Sequence, residues 1–302
     1  MSIRVAAGAF ALALLTACGA GVDTSPRSAR PASPDPLVAR PRAATTMPRA
    51  TVAVVGDAGV GEEPQRRVAE AICAWHDRVR RLDAVVTTGD NVYQDGAPED
   101  FPEKFFEPYT CVFRRAVPFR AALGNHDVAT DHGRHMIGDP AFGMKGRYYS
   151  FAAGPAVFVV LDSNDLDAPQ LAWLDRTLRR ARSARWTIAV LHHPPYSAGT
   201  EHGPSGEVQA LLSPRFERYG VDLVLSGHEH LYSRATAGGV PYVVTGGGGA
   251  ALYPCADPLP PETDVCRSVH HFLVLRIGRA LLVEARAPTD GAFDTFRVGP
   301  RP

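Results

Sequence analysis

Seven residues able to hold metal ions recur at one kind of position, just after a short apolar run. TVAVV precedes Gly56-Asp57, AVVTT precedes Gly89-Asp90-Asn91-Val92-Tyr93, and RAAL precedes Gly124-Asn125-His126-Asp127. TIAVL precedes His192, and DLVLS precedes Gly227-His228-Glu229-His230. Asp57, Asp90, Tyr93, Asn125, His192, His228 and His230 together offer two carboxylates, a phenol, an amide and three imidazoles. One small ion cannot use that many donors, whereas two adjacent ions sharing a bridging carboxylate can. Asp and a deprotonated Tyr suit a hard trivalent ion such as Fe3+; imidazole and a neutral Asn carbonyl suit a divalent partner, Fe2+, Zn2+ or Mn2+. A phenol ordinarily titrates near about 10, so only a highly charged cation would hold Tyr93 as phenolate.

Such donors need a scaffold that brings them together. Runs of four or five residues rich in Val, Ile and Thr, ended by Gly or Asp, read as buried strands. Ligands at the carboxyl ends of strands converge on one sheet edge, where α/β sheets open their binding crevice. His228 and His230 lie two apart, which in extended chain sends both side chains to one side. Glycine before Asp57, Asp90, Asn125 and His228 is expected to let the backbone turn sharply there. Helical spacing marks Pro64–Leu82, Gln170–Arg182 and Glu207–Tyr219, with Pro214 expected to break or kink the last. Further strands are expected at Val157–Leu161, Tyr242–Thr245 and Thr295–Val298, and a hairpin turning at Ile277-Gly278-Arg279. Strands alternating with helices, followed by a late run of strands, predict a layered α/β sandwich in one domain.

Lys+Arg and Asp+Glu balance at 32 each, so no bulk charge calls for a nucleic-acid partner. Arg4 and the apolar stretch Val5–Leu15 suit a secretory signal, too short to span a bilayer. That stretch ends in Leu15-Thr16-Ala17-Cys18, similar to the bacterial lipobox, which implies a signal peptide over 1–17 and lipid on Cys18. Residues 18–49, rich in Pro, Ala, Ser, Arg and Thr, read as a tether, and 50–302 as the folded domain. In an oxidising compartment Cys73, Cys111, Cys255 and Cys266 are expected to form two disulfides. Cys255 and Cys266 flank one Pro-rich loop and so pair locally, leaving Cys73 with Cys111.

Taken together, GDAG at 56–59, GDNVY at 89–93, GNHD at 124–127, His192 in VLHHPPY and GHEH at 227–230 resemble the calcineurin-like metallophosphoesterases, and within them the purple acid phosphatases. Glu201-His202-Gly203-Pro204 is similar to the segment that follows the metal histidine in the tartrate-resistant type. One departure is Ala189, where the family usually has Val. The resemblance implies a four-layer αββα sandwich of two mixed β-sheets flanked by helices. It implies a ferric site of Asp57, Tyr93 and His230 and a divalent site of Asn125, His192 and His228, with Asp90 bridging. It also implies that His126 and His202 contact phosphate and assist the leaving group. The expected activity is hydrolysis of phosphomonoesters, by attack of a hydroxide generated at the binuclear centre. Asp57-Ala58-Gly59 lacks the His of the Asp-x-His found in the non-purple phosphodiesterases, and Tyr93 takes its place, which argues for iron. A manganese or zinc phosphodiesterase and a catalytically silent envelope lipoprotein are the competing readings. The expected partner is a phosphate ester, with membrane attachment only through Cys18 and the protein a monomer.

Other polar residues have plainer readings. His193 is expected to point to the face opposite His192, and Ser163 and Ser197 are read as turn residues. Asp127 and Glu229 are expected to support ligands rather than bind metal. His76, His132, His135, His270 and His271 show no ligand pattern. Gly246–Gly249 lacks the Lys-Ser/Thr of a phosphate loop and is expected to pass close to the metal edge. Arg176, Arg179, Arg180, Arg182 and Arg185 are read as a solvated helix face, with membrane-surface contact the alternative for a lipid-anchored protein.

Overall fold

The protein is described by a computed structural model covering residues 49–79 and 82–299. The expected signal peptide, Cys18 and most of the expected tether lie outside the described residues. Among the described residues thirteen strands form two sheets. The first has β1 (Ala50–Val55), β2 (Ala84–Thr87), β3 (Phe119–Ala121), β11 (Phe272–Ile277), β12 (Leu281–Ala287) and β13 (Gly291–Val298), in the order β13-β12-β11-β1-β2-β3. The second comprises β4 (Tyr149–Ala153), β5 (Ala156–Val160), β6 (Trp186–Val190), β7 (Leu223–Ser226), β8 (Tyr232–Ala237), β9 (Val240–Thr245) and β10 (Thr263–Arg267), in the order β10-β8-β9-β7-β6-β5-β4.

Both sheets mix directions. β1, β2 and β3 are parallel neighbours, as are β5, β6, β7 and β9, while the remaining pairings are antiparallel. The central strands read as continuous apolar runs because both of their faces are covered. Val52 and Val54 of β1 point inward to meet Phe158, Val160, Ile188, Val190 and Leu225 of the facing sheet. The alternate residues Ala53 and Val55 point outward, against Val68, Ile72 and Trp75 of α1 (Glu63–Val79). On the far side, Val159, Ala189 and Val224 pack under Leu174 and Leu178 of α4 (Ala168–Ala181) and Leu212 and Phe216 of α5 (Gly206–Tyr219). Helix, sheet, sheet, helix is the four-layer order expected. Truncating a core ring such as Phe158 to Ala would cost about 3–5 kcal/mol.

Pro214 does not break α5. It sits on the exposed side beside Ala210, also exposed, whose carbonyl it leaves without a partner but in reach of water. An Arg215 guanidinium N–H meets the neighbouring Leu211 carbonyl. Two short helices, α2 (Thr110–Arg114) and α3 (Arg134–Gly138), lie in the long connections around β3. The disulfides are Cys73–Cys111 and Cys255–Cys266. They close separations of 38 and 11 residues, about 4 and 3 kcal/mol respectively in the chain-entropy account. Two such bridges belong to a protein that matures outside a reducing cytoplasm. No described helix is long and apolar enough to cross a membrane.

Candidate metal centre

Five parallel strands, β1, β2, β3, β6 and β7, each end two to four residues before a predicted ligand, so their loops all open on one edge. The backbone there is not relaxed. Asp57, Asp90 and His228 have φ of 56°, 52° and 71°, left-handed values that side chains other than glycine rarely adopt. The glycines beside them mostly serve a different purpose from the turn expected. Only Gly89 of those four has positive φ. Gly124 and Gly227 are needed for close approach: a Cβ on Gly124 would fall 2.0 Å from Asp90 Oδ1, and one on Gly227 2.4 Å from Asp57 Oδ2. The Gly246–Gly249 run does pass against this edge, with the Gly246 Cβ position 2.8 Å from Asp57 Oδ2.

The seven predicted donors fall into two clusters. In the first, Tyr93 Oη lies 3.0 Å from His230 Nε2 and 3.5 Å from Asp57 Oδ1, and His230 Nε2 lies 3.7 Å from the same carboxylate oxygen. In the second, Asn125 Oδ1 lies 2.9 Å from His192 Nε2 and 3.0 Å from His228 Nδ1, and those two nitrogens are 3.2 Å apart. Asp90 Oδ2 stands 3.4 Å from His192 Nε2. One donor atom from each of Asp57, Asp90 and His192 lies within 4.8 Å of the others, so Asp90 joins the clusters.

Proton bookkeeping shows that these groups fit metal ions. His192 Nδ1 faces the Thr88 carbonyl at 2.9 Å and His230 Nδ1 faces the Ala251 carbonyl at 2.8 Å. Each ring therefore carries its proton on the outer nitrogen and turns a bare lone pair on Nε2 inward, the arrangement of metal-binding histidines. The inner atoms are then nearly all acceptors facing acceptors. Donors about 2.1 Å from a common ion and 90° apart lie roughly 3.0 Å from one another, close to the spacings seen.

The electrostatics agree. Burial, reinforced by Asp90, raises the Asp57 carboxyl well above its usual range although His192 opposes it. Burial also opposes ionisation of Asp90, but His192 and His126 outweigh it and the carboxyl stays low. His192, despite complete burial, is pushed up to about 9 by Asp90 and Asp57. Burial lowers His228 to about 2 and His230 to about 4, so both remain neutral donors. Burial and Asp57 raise the Tyr93 phenol, which would need a strongly charged ion to give up its proton.

At the rim lie the two predicted substrate histidines. The His126 ring packs on Tyr93 at 4.4 Å with Nε2 4.0 Å from Asp90 Oδ2, and its backbone N–H donates to Asp90 Oδ1. His202 stacks on His228 at 4.3 Å. All nine predicted site residues are thus gathered on one edge.

His193 departs from expectation. Its ring lies 4.5 Å from that of His228, on the site side, because β6 ends at Val190 and strand alternation no longer governs 192 and 193. Ser163 explains how it is held: its Oγ accepts the backbone N–H of both His192 and His193, at 3.2 and 2.9 Å. The hydroxyl hydrogen is left for His193 Nδ1, at 2.9 Å, which puts the His193 proton on Nε2. No motif announced Ser163. Asp127 and Glu229 are supports, as expected. Asp127 accepts N–H bonds from Asn91, Val92 and Gly124 and one from the Asn91 amide, joining the loop after β2 to that after β3. Glu229 Oε1 accepts from the backbone N–H of His202, at 2.7 Å, and of Gly203, suspending the His202 loop. Tyr253, stacked on His230 at 4.1 Å, was not legible in any motif.

Comparison with known proteins gives a consistent picture. The calcineurin-like phosphoesterase family profile matches residues 50–232. Human tartrate-resistant acid phosphatase type 5 is 28% identical over 204 residues, 55% of this chain and 61% of that protein. Purple acid phosphatase 4 of Arabidopsis thaliana is 29% identical over 204 residues, 56% of this chain and 59% of that one. The chain thus spans about three-fifths of the length of these two relatives. Among solved structures, a purple acid phosphatase from yellow lupin (Lupinus luteus) seeds superposes with a TM-score of 0.69 at 20% identity, covering 83% of this chain and 54% of that one. GAP50, the anchor in the inner membrane complex of Plasmodium, gives 0.74 at 18% identity, covering 84% and 90%. Those two likenesses speak for the fold.

Proposed function

The chain belongs to the calcineurin-like phosphoesterase family, and from that premise we propose that it is a phosphomonoesterase of the purple acid phosphatase kind. The observation that carries this reading is the pair of inward-facing donor clusters joined by Asp90, one of them containing Tyr93. Asp57, Tyr93 and His230 would hold Fe3+; Asn125, His192 and His228 would hold Fe2+, Zn2+ or Mn2+; Asp90 would serve both. When bound, such a pair of ions clamps phosphate oxygens and supplies a water acidic enough to act as nucleophile. His192 and His230 keep their protons on the Thr88 and Ala251 carbonyls, so both rings hold a fixed orientation through turnover. His126 and His202 flank the clusters, where either could pass a proton to a departing alcohol. No side-chain nucleophile is called for.

Elemental analysis of the purified protein, with a visible absorption spectrum, tests the metal assignment. Iron with a tyrosinate band is expected; a colourless zinc or manganese protein preferring bis-aryl over mono-aryl phosphate would replace this reading with the phosphodiesterase one. We assign residues 1–17 to a signal peptide, 18–49 to a lipid-bearing tether and 50–302 to the catalytic domain, acting as a monomer in the cell envelope. Labelled palmitate incorporation that disappears in Cys18→Ser tests the anchor.

A further inference from the structure

The strands that carry the candidate ligands have a second end, and it is chemically distinct. Ala50, Asp83, Arg185 and Asp222 lie there, at or next to the amino ends of β1, β2, β6 and β7, with the β8–β9 turn and the β11–β12 hairpin. α4 and α5 run back from the metal edge and finish at this end, at Ala181 and Tyr219. Four exposed arginines, Arg182, Arg185, Arg218 and Arg279, gather as a result. Arg182 Nη2 donates to the Arg218 carbonyl at 3.1 Å and Arg185 Nε to the Arg279 carbonyl at 2.9 Å. The Arg182 and Arg218 guanidinium groups lie 5.9 and 5.4 Å from the Tyr219 ring, and that of Arg185 lies 5.5 Å from Trp186.

Several arginines elsewhere are neutralised, Arg115 by Asp77, Arg147 by Asp162 and Asp165, Arg234 by Asp264 and Asp294, Arg286 by Glu284, while others such as Arg114 and Arg297 stand singly on the surface. Among the described residues none of the four basal arginines forms an ion pair. The acids of this end are turned inward or few. Asp83 and Asp222 accept the Thr51 and Thr187 N–H groups, leaving Glu262, bonded through its carbonyl to Thr236, and Glu217 as exposed carboxylates. Beside it opens a cleft of about 560 Å³ lined by Arg182, Arg218, Tyr219, Gly238 and Gly239. Arginine at a helix C-terminus complements the helix dipole, which accounts for Arg182 and Arg218 but not for Arg185 or Arg279.

We propose that this basal face docks on an anionic phospholipid surface. Two observations choose that occupant. Guanidinium groups without carboxylate partners match phosphate headgroups in charge and in their planar fork of donors. The chain also enters the domain at this end: Ala50 pairs with Ile277, immediately before Gly278-Arg279, and upstream lies the lipobox-like Cys18. A lipid on Cys18 would attach the chain without orienting the domain. The basal arginines supply the orientation, and since the candidate metal centre occupies the opposite strand ends, it faces away from the bilayer. The location of the bilayer rests on the Cys18 reading; the charge match does not.

The test uses the mature chain from residue 18 with Cys18→Ser, so that no acyl group contributes. Co-sedimentation is measured with vesicles of equimolar phosphatidylglycerol and phosphatidylcholine, and with phosphatidylcholine alone. Binding to the anionic vesicles only, weakened by salt, is expected. The triple variant R182E/R185E/R279E should bind at least about tenfold more weakly, with R182K/R185K/R279K retaining most of the binding. Both variants should keep the parent far-UV spectrum and aryl phosphate turnover, which separates loss of docking from loss of fold or catalysis. Absence of binding to anionic vesicles at low salt overturns the proposal, as does equal binding by the Glu variant. Preference for soluble polyphosphate over vesicles overturns it in favour of a polyanion.

Discussion

His192 and His271 are both wholly buried, yet they sit in opposite electrostatic regions. His192, at the metal edge, is pushed up to about 9, because Asp90 and Asp57 outweigh the burial that opposes its charge. His271, beneath the glycine run, faces the Val269 carbonyl at 2.9 Å and Thr245 Oγ1 at 3.1 Å, with Tyr232 and Phe293 around it. There burial is only partly offset by the Val269 carbonyl, and the imidazole falls to about 4. Depth alone therefore does not decide the charge of a histidine; uncompensated carboxylates do. The metal edge is a region built with surplus negative charge, and the His271 region is a satisfied core.

Removing the surplus should produce the largest effect. Asp90→Asn is expected to lower turnover by about 10³-fold or more, since both clusters lose their shared oxygen, with the far-UV spectrum unchanged. In metal-free protein the same variant should bring the His192 titration down from about 9 toward that of His271; an NMR titration that stays put would break the comparison. Tyr93→Phe strikes one cluster only. Loss of the visible band, a fall in iron content and roughly 10²-fold slower turnover are expected, while the divalent metal is retained.

On the satisfied side the prediction concerns stability. The folded pKa of His271 lies below its unfolded value of 6.5, so its contribution is intact above pH 6.5 and is lost as pH falls from 6.5 to about 4. The loss amounts to about 3 kcal/mol. Denaturant midpoints should show this acid loss in the parent and much less of it in His271→Gln; equal slopes would remove His271 from the account. The smallest effect expected is that of Ser163→Ala, about tenfold in kcat/KM, with restoration in Ser163→Thr. An unchanged value would make the Ser163–His193 contact a mere turn bond.

Much of the site was readable because each motif is local: strand, breaker, ligand. The five motifs needed only a common strand direction to meet, and β1, β2, β3, β6 and β7 supply it. What escaped was set by contacts distant in sequence. β8, YSRATA, and β10, TDVCR, alternate poorly, because β10 is an edge strand and Arg234 is spent on Asp264 and Asp294. The aromatic cluster of Phe105, Phe119 and Phe142, which organises the short helical turns between β2 and β4, has no regular period to find. Alternation says nothing of His193, because β6 ends at Val190. A glycine before a ligand suggests a turn, but Gly124 and Gly227 admit a carboxylate instead.

The two walls of the candidate cleft are fastened unequally. Asp127 takes four N–H bonds and welds the His126 wall to its neighbouring loop, whereas the His202 wall is anchored at its two ends, by the Gly199–Cys255 bridge and the Ser205–Pro194 bond, and between them is held by two bonds to Glu229. Such a cleft works as a vice with one fixed jaw. Bulky and slender phosphate esters would meet the same immobile surface on the Tyr93 side, and adaptation to their shape would fall to the 199–203 side alone. Widening the range of accepted esters by directed evolution should accordingly begin at the suspended jaw, where a change in reach does not disturb the welded one.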